Sequence, residues 1–163
     1  MSENKLSKEM EVKEVKEVKE KKSIDECKNA VDLLLSIDAD SVMMPSEIYE
    51  MYCEKVKTRI PFECFAIDPE YYEELQTSGV EMKKNKIKDI DGFKMKSNVI
   101  LACCPIFKDE DVKKRFKAPT PKELLRKLLL AGEINELYDF ISELNGYGEE
   151  DNKDKKLHDE IKN

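Results

Sequence analysis

Four consecutive residues, Thr120-Pro121-Lys122-Glu123, carry three separate signals for the start of a helix. Thr suits the N-cap, Pro suits the first helical position, and Glu three residues after the cap completes a capping box. Leu124, Leu125, Leu128 and Leu129 follow as one broad apolar face. Ala131-Gly132 reads as a break. Ile134, Leu137, Tyr138, Ile141 and Leu144 then recur at spacings of three and four, which predicts a second helix. Asn145-Gly146 suits a left-handed C-cap. Two such helices across a four-residue break predict an antiparallel helical hairpin. A chain with this segment must fold around amphipathic helices.

Upstream elements follow the same logic. Ser23-Ile24-Asp25-Glu26 reads as a capping box that opens a helix. Its apolar side would contain Ile24, Cys27, Val31 and Leu34, widened by Ala30, Leu33 and Leu35, and would face a core. The period then changes. Ile60, Phe62, Cys64 and Ala66 alternate with Pro61, Glu63, Phe65 and Ile67. This predicts strands over 48–56 and 59–67 joined by a short turn, although the first segment also has helical character. Pro61 places the second strand at an edge. Asp68-Pro69 opens another helix, which Gly79 stops. Of the adjacent Tyr71 and Tyr72, one ring should be buried and the other partly exposed. Residues 83–88 form a basic loop or short strand. A helix capped by Asp89 or Asp91 carries Phe93, Val99, Ile100, Ala102 and Cys103, and Pro105 ends it. Residues 109–117 make a short helix, with acids first and bases last as the helix dipole prefers.

The expected fold class is α+β, mostly helical. It has a small antiparallel β-hairpin packed against a bundle of about five helices, with disordered polar termini. The expected organisation is a disordered or fraying helical lead over 1–22, one domain over 23–148, and a disordered polar tail over 149–163. In the lead, Val12, Val15 and Val18 recur every three residues and so drift around a helix instead of forming a stripe.

Charge and cysteine usage narrow the function classes. The net charge is -7, with Lys and Glu interleaved almost throughout. Nucleic acid is therefore not an expected partner. No apolar run approaches the roughly 18 residues of a membrane span, and the charged N-terminus is not a secretory signal. Five cysteines, Cys27, Cys53, Cys64, Cys103 and Cys104, form no CxxC pair. Each lies among apolar residues, where Cys acts as a small hydrophobe. The one histidine, His158, lies in the polar tail. Neither a metal nor a cofactor is expected. Asp89 with Asp91 serves helix capping, and Glu149, Glu150 and Asp151 serve a solvated tail. No phosphate-binding glycine loop and no nucleophile elbow is present. The chain is expected not to be an enzyme.

Three blocks, in order, are FECFAIDPEYYEELQ, DIDGFKMKSNVILACC and FKDEDVKKRFKAPTPKELLRKLLLAGEINELYDFISELNGYG. With them, residues 33–148 resemble the XkdN-like family of phage tail assembly chaperones, found in contractile-tailed phages and phage-tail-like elements of Gram-positive bacteria. The most specific pieces are the APTP connector, KLLLAGEI and LNGYG. They place the family's motif on Pro119, Thr120, Pro121, Glu123, Leu128 and Leu129, then on Gly132, Glu133 and Ile134, and finally on Leu144, Gly146 and Gly148. The chain departs from the pattern in its EVK-repeat lead and in Ala131, where a proline is expected.

The resemblance implies a non-catalytic factor that binds the tape-measure protein in the bacterial cytoplasm and is absent from the mature particle. The tail tube protein and a second copy of the chain are further candidate partners. The alternative is a minor tube or baseplate component retained in the particle. The exposed side of the predicted C-terminal hairpin, near Leu130, Tyr138 and Tyr147, is the expected partner surface.

Overall fold

The structure, a computed structural model, describes residues 29–148. The lead over 1–22, the capping box at Ser23 and the tail over 149–163 lie outside the described residues. The chain divides between Met43 and Met44 into two compact units.

In the first unit, helix α1 spans Ala30–Ser36. Asn29 caps it, its Oδ1 accepting from the Asp32 N–H at 3.0 Å. A 3-10 turn follows at Ala39–Ser41 under an Asp38 cap. Neither element buries a residue. This corrects the expected core-facing helix: Val31, Leu34 and Leu35 are 65%, 67% and 81% exposed. The helix has only seven residues, and its apolar side chains leave in several directions, so no single face is enclosed.

The second unit opens with a hairpin of β1, Ser46–Cys53, and β2, Thr58–Phe65. Tyr49 stands opposite Phe62 and Met51 opposite Ile60. Side chains of a strand alternate between faces. Met51, Cys53, Phe62 and Cys64 are buried, while Glu50, Tyr52, Pro61 and Glu63 are exposed. Both strands of a two-stranded sheet are edges, so Pro61 breaks no second ladder.

Helix α2, Pro69–Thr77, starts as its sequence predicts. Asp68 Oδ1 accepts from the N–H groups of Glu70 at 3.0 Å and Tyr71 at 3.3 Å. Tyr72 is buried and Tyr71 exposed. Next comes a second hairpin, where the sequence suggested a basic loop or short strand. Its strands are β3, Val80–Lys83, and β4, Lys86–Ile90. Lys84 and Asn85 form the two-residue turn with φ of 52° and 56°, the left-handed pair that matches strand twist. At its base the Asp91 N–H donates to the Gly79 carbonyl at 2.7 Å. A Cβ on Gly79 would stand 2.4 Å from the Asp91 carbonyl oxygen. The glycine is required by this close approach.

Helix α3, Gly92–Cys103, is the central element. Asp91 Oδ1 caps it at Lys94 N–H, 2.9 Å. It packs against α2 and against both C-terminal helices. A 3-10 turn at Pro105–Lys108 buries Phe107, whose ring stacks with Phe62 at 5.7 Å. Helix α4, Glu110–Arg115, is capped by Asp109. Lys127 Nζ donates to the carbonyls of Phe116 and Lys117, just beyond the end of α4.

Helix α5, Pro121–Leu128, buries Leu124, Leu125 and Leu128. Helix α6, Ala131–Leu144, buries Ile134, Leu137 and Ile141. Two expectations change here. The link is Leu129-Leu130 alone, and Ala131-Gly132 form the first turn of α6. The reason is Glu133, whose Oε2 accepts from the Leu130 N–H at 2.7 Å and so starts the helix one turn early. The two helices also do not form a packed hairpin. Each packs chiefly on other elements, α5 on α3 and the 105–108 turn, α6 on α3 and β1.

Candidate partner-binding surface

The structure separates the three residues expected to meet a partner. Leu130 stands at the N-terminal end of α6 and is 44% exposed. Tyr147 lies beyond the other end and is 58% exposed. A helix rises about 1.5 Å per residue, so roughly 20 Å divides them. Tyr138 belongs with Tyr147 and not with Leu130. Its hydroxyl accepts from Gln76 Nε2 at 2.7 Å, and the same amide donates to Tyr72 Oη at 2.9 Å. Tyr72 Oη lies 3.1 Å from Ser142 Oγ. Tyr147 stacks on Tyr72, with ring centroids 5.1 Å apart, and its hydroxyl donates to Glu73 Oε1 at 2.5 Å. The hydrogen bond to Glu73 raises the Tyr147 phenol above its ordinary range, and burial raises that of Tyr72. Tyr138 thus holds α6 to α2, and Tyr147 covers Tyr72 while offering its outer side to solvent. Gln76 and Glu73 were not singled out in the sequence. The signal was the i, i+4 spacing of Tyr72 and Gln76 on one helix.

The motif residues form the scaffold behind this surface. Thr120 Oγ1 accepts from the Glu123 N–H at 3.2 Å, and Pro121 takes the first helical position. Pro119 is exposed in the connector; Leu128, Leu129 and Ile134 are buried. Gly132 meets open space in the first turn of α6. Glu133 has a second duty, because its Oε1 accepts from the Glu54 N–H at 2.8 Å. One carboxylate therefore ties the β1–β2 turn to the start of α6. At the far end Gly146 has φ of +94°. The Gly146 N–H donates to Glu143 and the Tyr147 N–H to Ser142, a complete Schellman motif. Leu144 is half-buried beside the core, and Gly148 ends the described residues.

The family model for the phage XkdN-like tail assembly chaperone protein matches residues 31–162. The chain belongs to this family. A crystal structure of the protein yqbn is 19% identical, covers 68% of this chain and 93% of that one, and superposes with a TM-score of 0.46. No curated protein matches the sequence.

In this tail assembly chaperone the cysteines among the described residues lie in the core. Cys53, Cys64, Cys103 and Cys104 are fully buried. Cys64 and Cys104 share a hydrogen bond, Sγ to Sγ 3.2 Å. That bond, with burial, holds the Cys104 thiol protonated far above its ordinary range. Burial pushes Cys103 up to about 11 and Cys53 up to about 11. Thiols raised in this way are weak nucleophiles at neutral pH. Among the described residues no three His, Cys, Asp or Glu side chains group as metal ligands. Asp91 caps α3, and Asp89 Oδ1 accepts from the Ile90 N–H. Among the described residues no helix is long and apolar enough to cross a membrane.

Proposed function

We propose that this chain keeps the tape-measure protein soluble in the host cytoplasm while the tail tube polymerises around it, and then leaves before the particle is complete. The carrying observation is membership of the tail assembly chaperone family over residues 31–162. The surface chemistry supports it. A tape measure is a long helical chain with apolar stripes, and such a chain aggregates when bare. The net charge of -7 keeps a complex dispersed. Ile48, Tyr52, Leu130 and Tyr147 give exposed apolar area that can cover a helix stripe. The tail tube protein is a second candidate client, and self-association a third mode.

The test is co-expression with the tape-measure protein of the same tail gene cluster, followed by affinity capture and a solubility assay. Co-purification, with a tape measure soluble only beside this chain, is expected. Abundant peptides of this chain in purified particles would refute departure and favour a retained tube or baseplate component. Tyr147→Ala separates surface from scaffold, since that side chain lies outside the core. Unchanged capture by this variant would remove the Tyr147 region from the contact.

A further inference from the structure

One concavity on residues 44–148 has a charge opposite to that of the whole chain. It encloses about 540 Å³ beside the first turns of α3 and α6. Lys55, Lys96 and Arg126 line it from the β1–β2 turn, α3 and α5. Leu129 and Ile134 line it as apolar residues, together with Phe93, which is 39% exposed. No Asp or Glu is among the lining residues. Lys55 Nζ donates to the Arg126 carbonyl at 2.6 Å and Lys96 Nζ to Asn135 Oδ1 at 2.6 Å. Both acceptors are neutral, so they fix the ammonium groups without cancelling their charge. Lys122 Nζ adds a fourth cation 5.3 Å from the centroid of the Phe93 ring. Among the described residues the ion pairs are Lys57–Glu54 and Lys113–Glu110, so none of these four cations has a carboxylate partner there.

Cations with no carboxylate partner among the described residues, set beside an exposed aromatic ring, select a ligand with both features. A free phosphate would leave the exposed Phe93 ring uncovered. A nucleic acid would meet the repulsion of the net -7 charge. An amphipathic helix with carboxylates beside its apolar stripe satisfies both. We infer that this concavity receives an acidic amphipathic helix of the assembly client, its apolar stripe against the exposed Phe93 ring above the floor of Leu129 and Ile134, and its carboxylates against Lys55, Lys96 and Arg126. The word client rests on the function proposed above; the acidic-helix chemistry does not.

The experiment titrates the isotope-labelled full chain with two helical peptides that share one leucine stripe, flanked by Glu in one and by Lys in the other. The Glu peptide should shift the amides of Gly92, Phe93, Ala131 and Asn135. K96E/R126E should weaken it by about tenfold or more, and K96Q/R126Q, which removes the charges without reversing them, should do so by less. Equal binding of both peptides, shifts confined to other regions, or full binding by a folded K96E/R126E would overturn the inference. So would concentration-dependent shifts at these amides without peptide, which would assign the concavity to a second copy. Capture of the tape-measure protein is run alongside. Equal capture by the wild type and a folded K96E/R126E overturns this site and leaves the client reading intact. No capture by the wild type overturns the client reading, and the peptide titration then decides the acidic-helix site.

Discussion

Gly79→Ala isolates the tightest backbone approach in the fold. The new Cβ would stand 2.4 Å from the Asp91 carbonyl oxygen, where ordinary contact begins at 3.4 Å. The two backbones must separate by about 1 Å, yet the Asp91 N–H to Gly79 carbonyl bond, at 2.7 Å, holds them together. Asp91 also caps α3, so its displacement loosens that cap. Overpacking of this kind costs about 1–3 kcal/mol. The lower entropy of the unfolded alanine chain returns about 0.4–1 kcal/mol. The net expectation is destabilisation by about 1–2 kcal/mol, a fall in Tm of about 4–10 °C for a unit of this size. Gly132→Ala is the control. Its Cβ meets nothing within 4 Å, and its φ is not in the left-handed region, so the entropic effect should stand alone and raise Tm slightly. Thermal and urea unfolding of both variants measures the difference. A Gly79→Ala protein as stable as Gly132→Ala would refute the reasoning, because both substitutions change the unfolded chain in the same way.

Three further outcomes are expected. Asn145→Ala should cost about 2–3 kcal/mol in urea unfolding, because Asn145 Oδ1 accepts from the Ile67 N–H and its Nδ2 donates to the Ile141 carbonyl. The hydrogen bond to Glu136 raises the Tyr49 phenol from its ordinary 10 to about 12. That bond's contribution is complete below pH 10 and is lost as pH climbs towards 12, so Tyr49→Phe should flatten the fall in urea midpoint across that window; an unchanged slope would count against it. Cys53, Cys64, Cys103 and Cys104 should resist iodoacetamide at pH 8 until the fold opens, as located by peptide mass spectrometry. Labelling of these four in the native protein at the rate of a free thiol would contradict their burial.

The elements legible in the sequence are those whose determinants lie within five residues of each other. Asp68-Pro69, Thr120-Pro121 and Asn145-Gly146 mark helix ends through bonds that span two to five positions, and the structure makes those bonds. The alternation of Ile60, Phe62, Cys64 and Ala66 marked a strand for the same local reason. The second hairpin was less legible because its strands are polar and exposed, and Lys84-Asn85 lacks the glycine that usually marks such a turn. Gly132 misled because glycine was read as a breaker, while the deciding group, Glu133, acts backwards on Leu130. The packing of α5 and α6 on α3 instead of on each other depends on long-range contacts that spacing does not encode. The partner surface met the same limit. Leu130, Tyr138 and Tyr147 are apolar at helical intervals, and only the fold assigns Tyr138 to the α2–α6 joint and sets Leu130 apart.

Glu133 has a consequence for which sequences this fold admits. Its two oxygens accept from two backbone donors on different elements, Leu130 and Glu54. Glutamine offers one acceptor and turns a donor towards the other N–H. Aspartate has two acceptors but is one methylene shorter. A position that looks like any exposed acid in a first helical turn is therefore occupied by the one side chain with both the reach and the acceptor count. Substitutions there should be tolerated far less well than at Glu143, an exposed acid on the same helix.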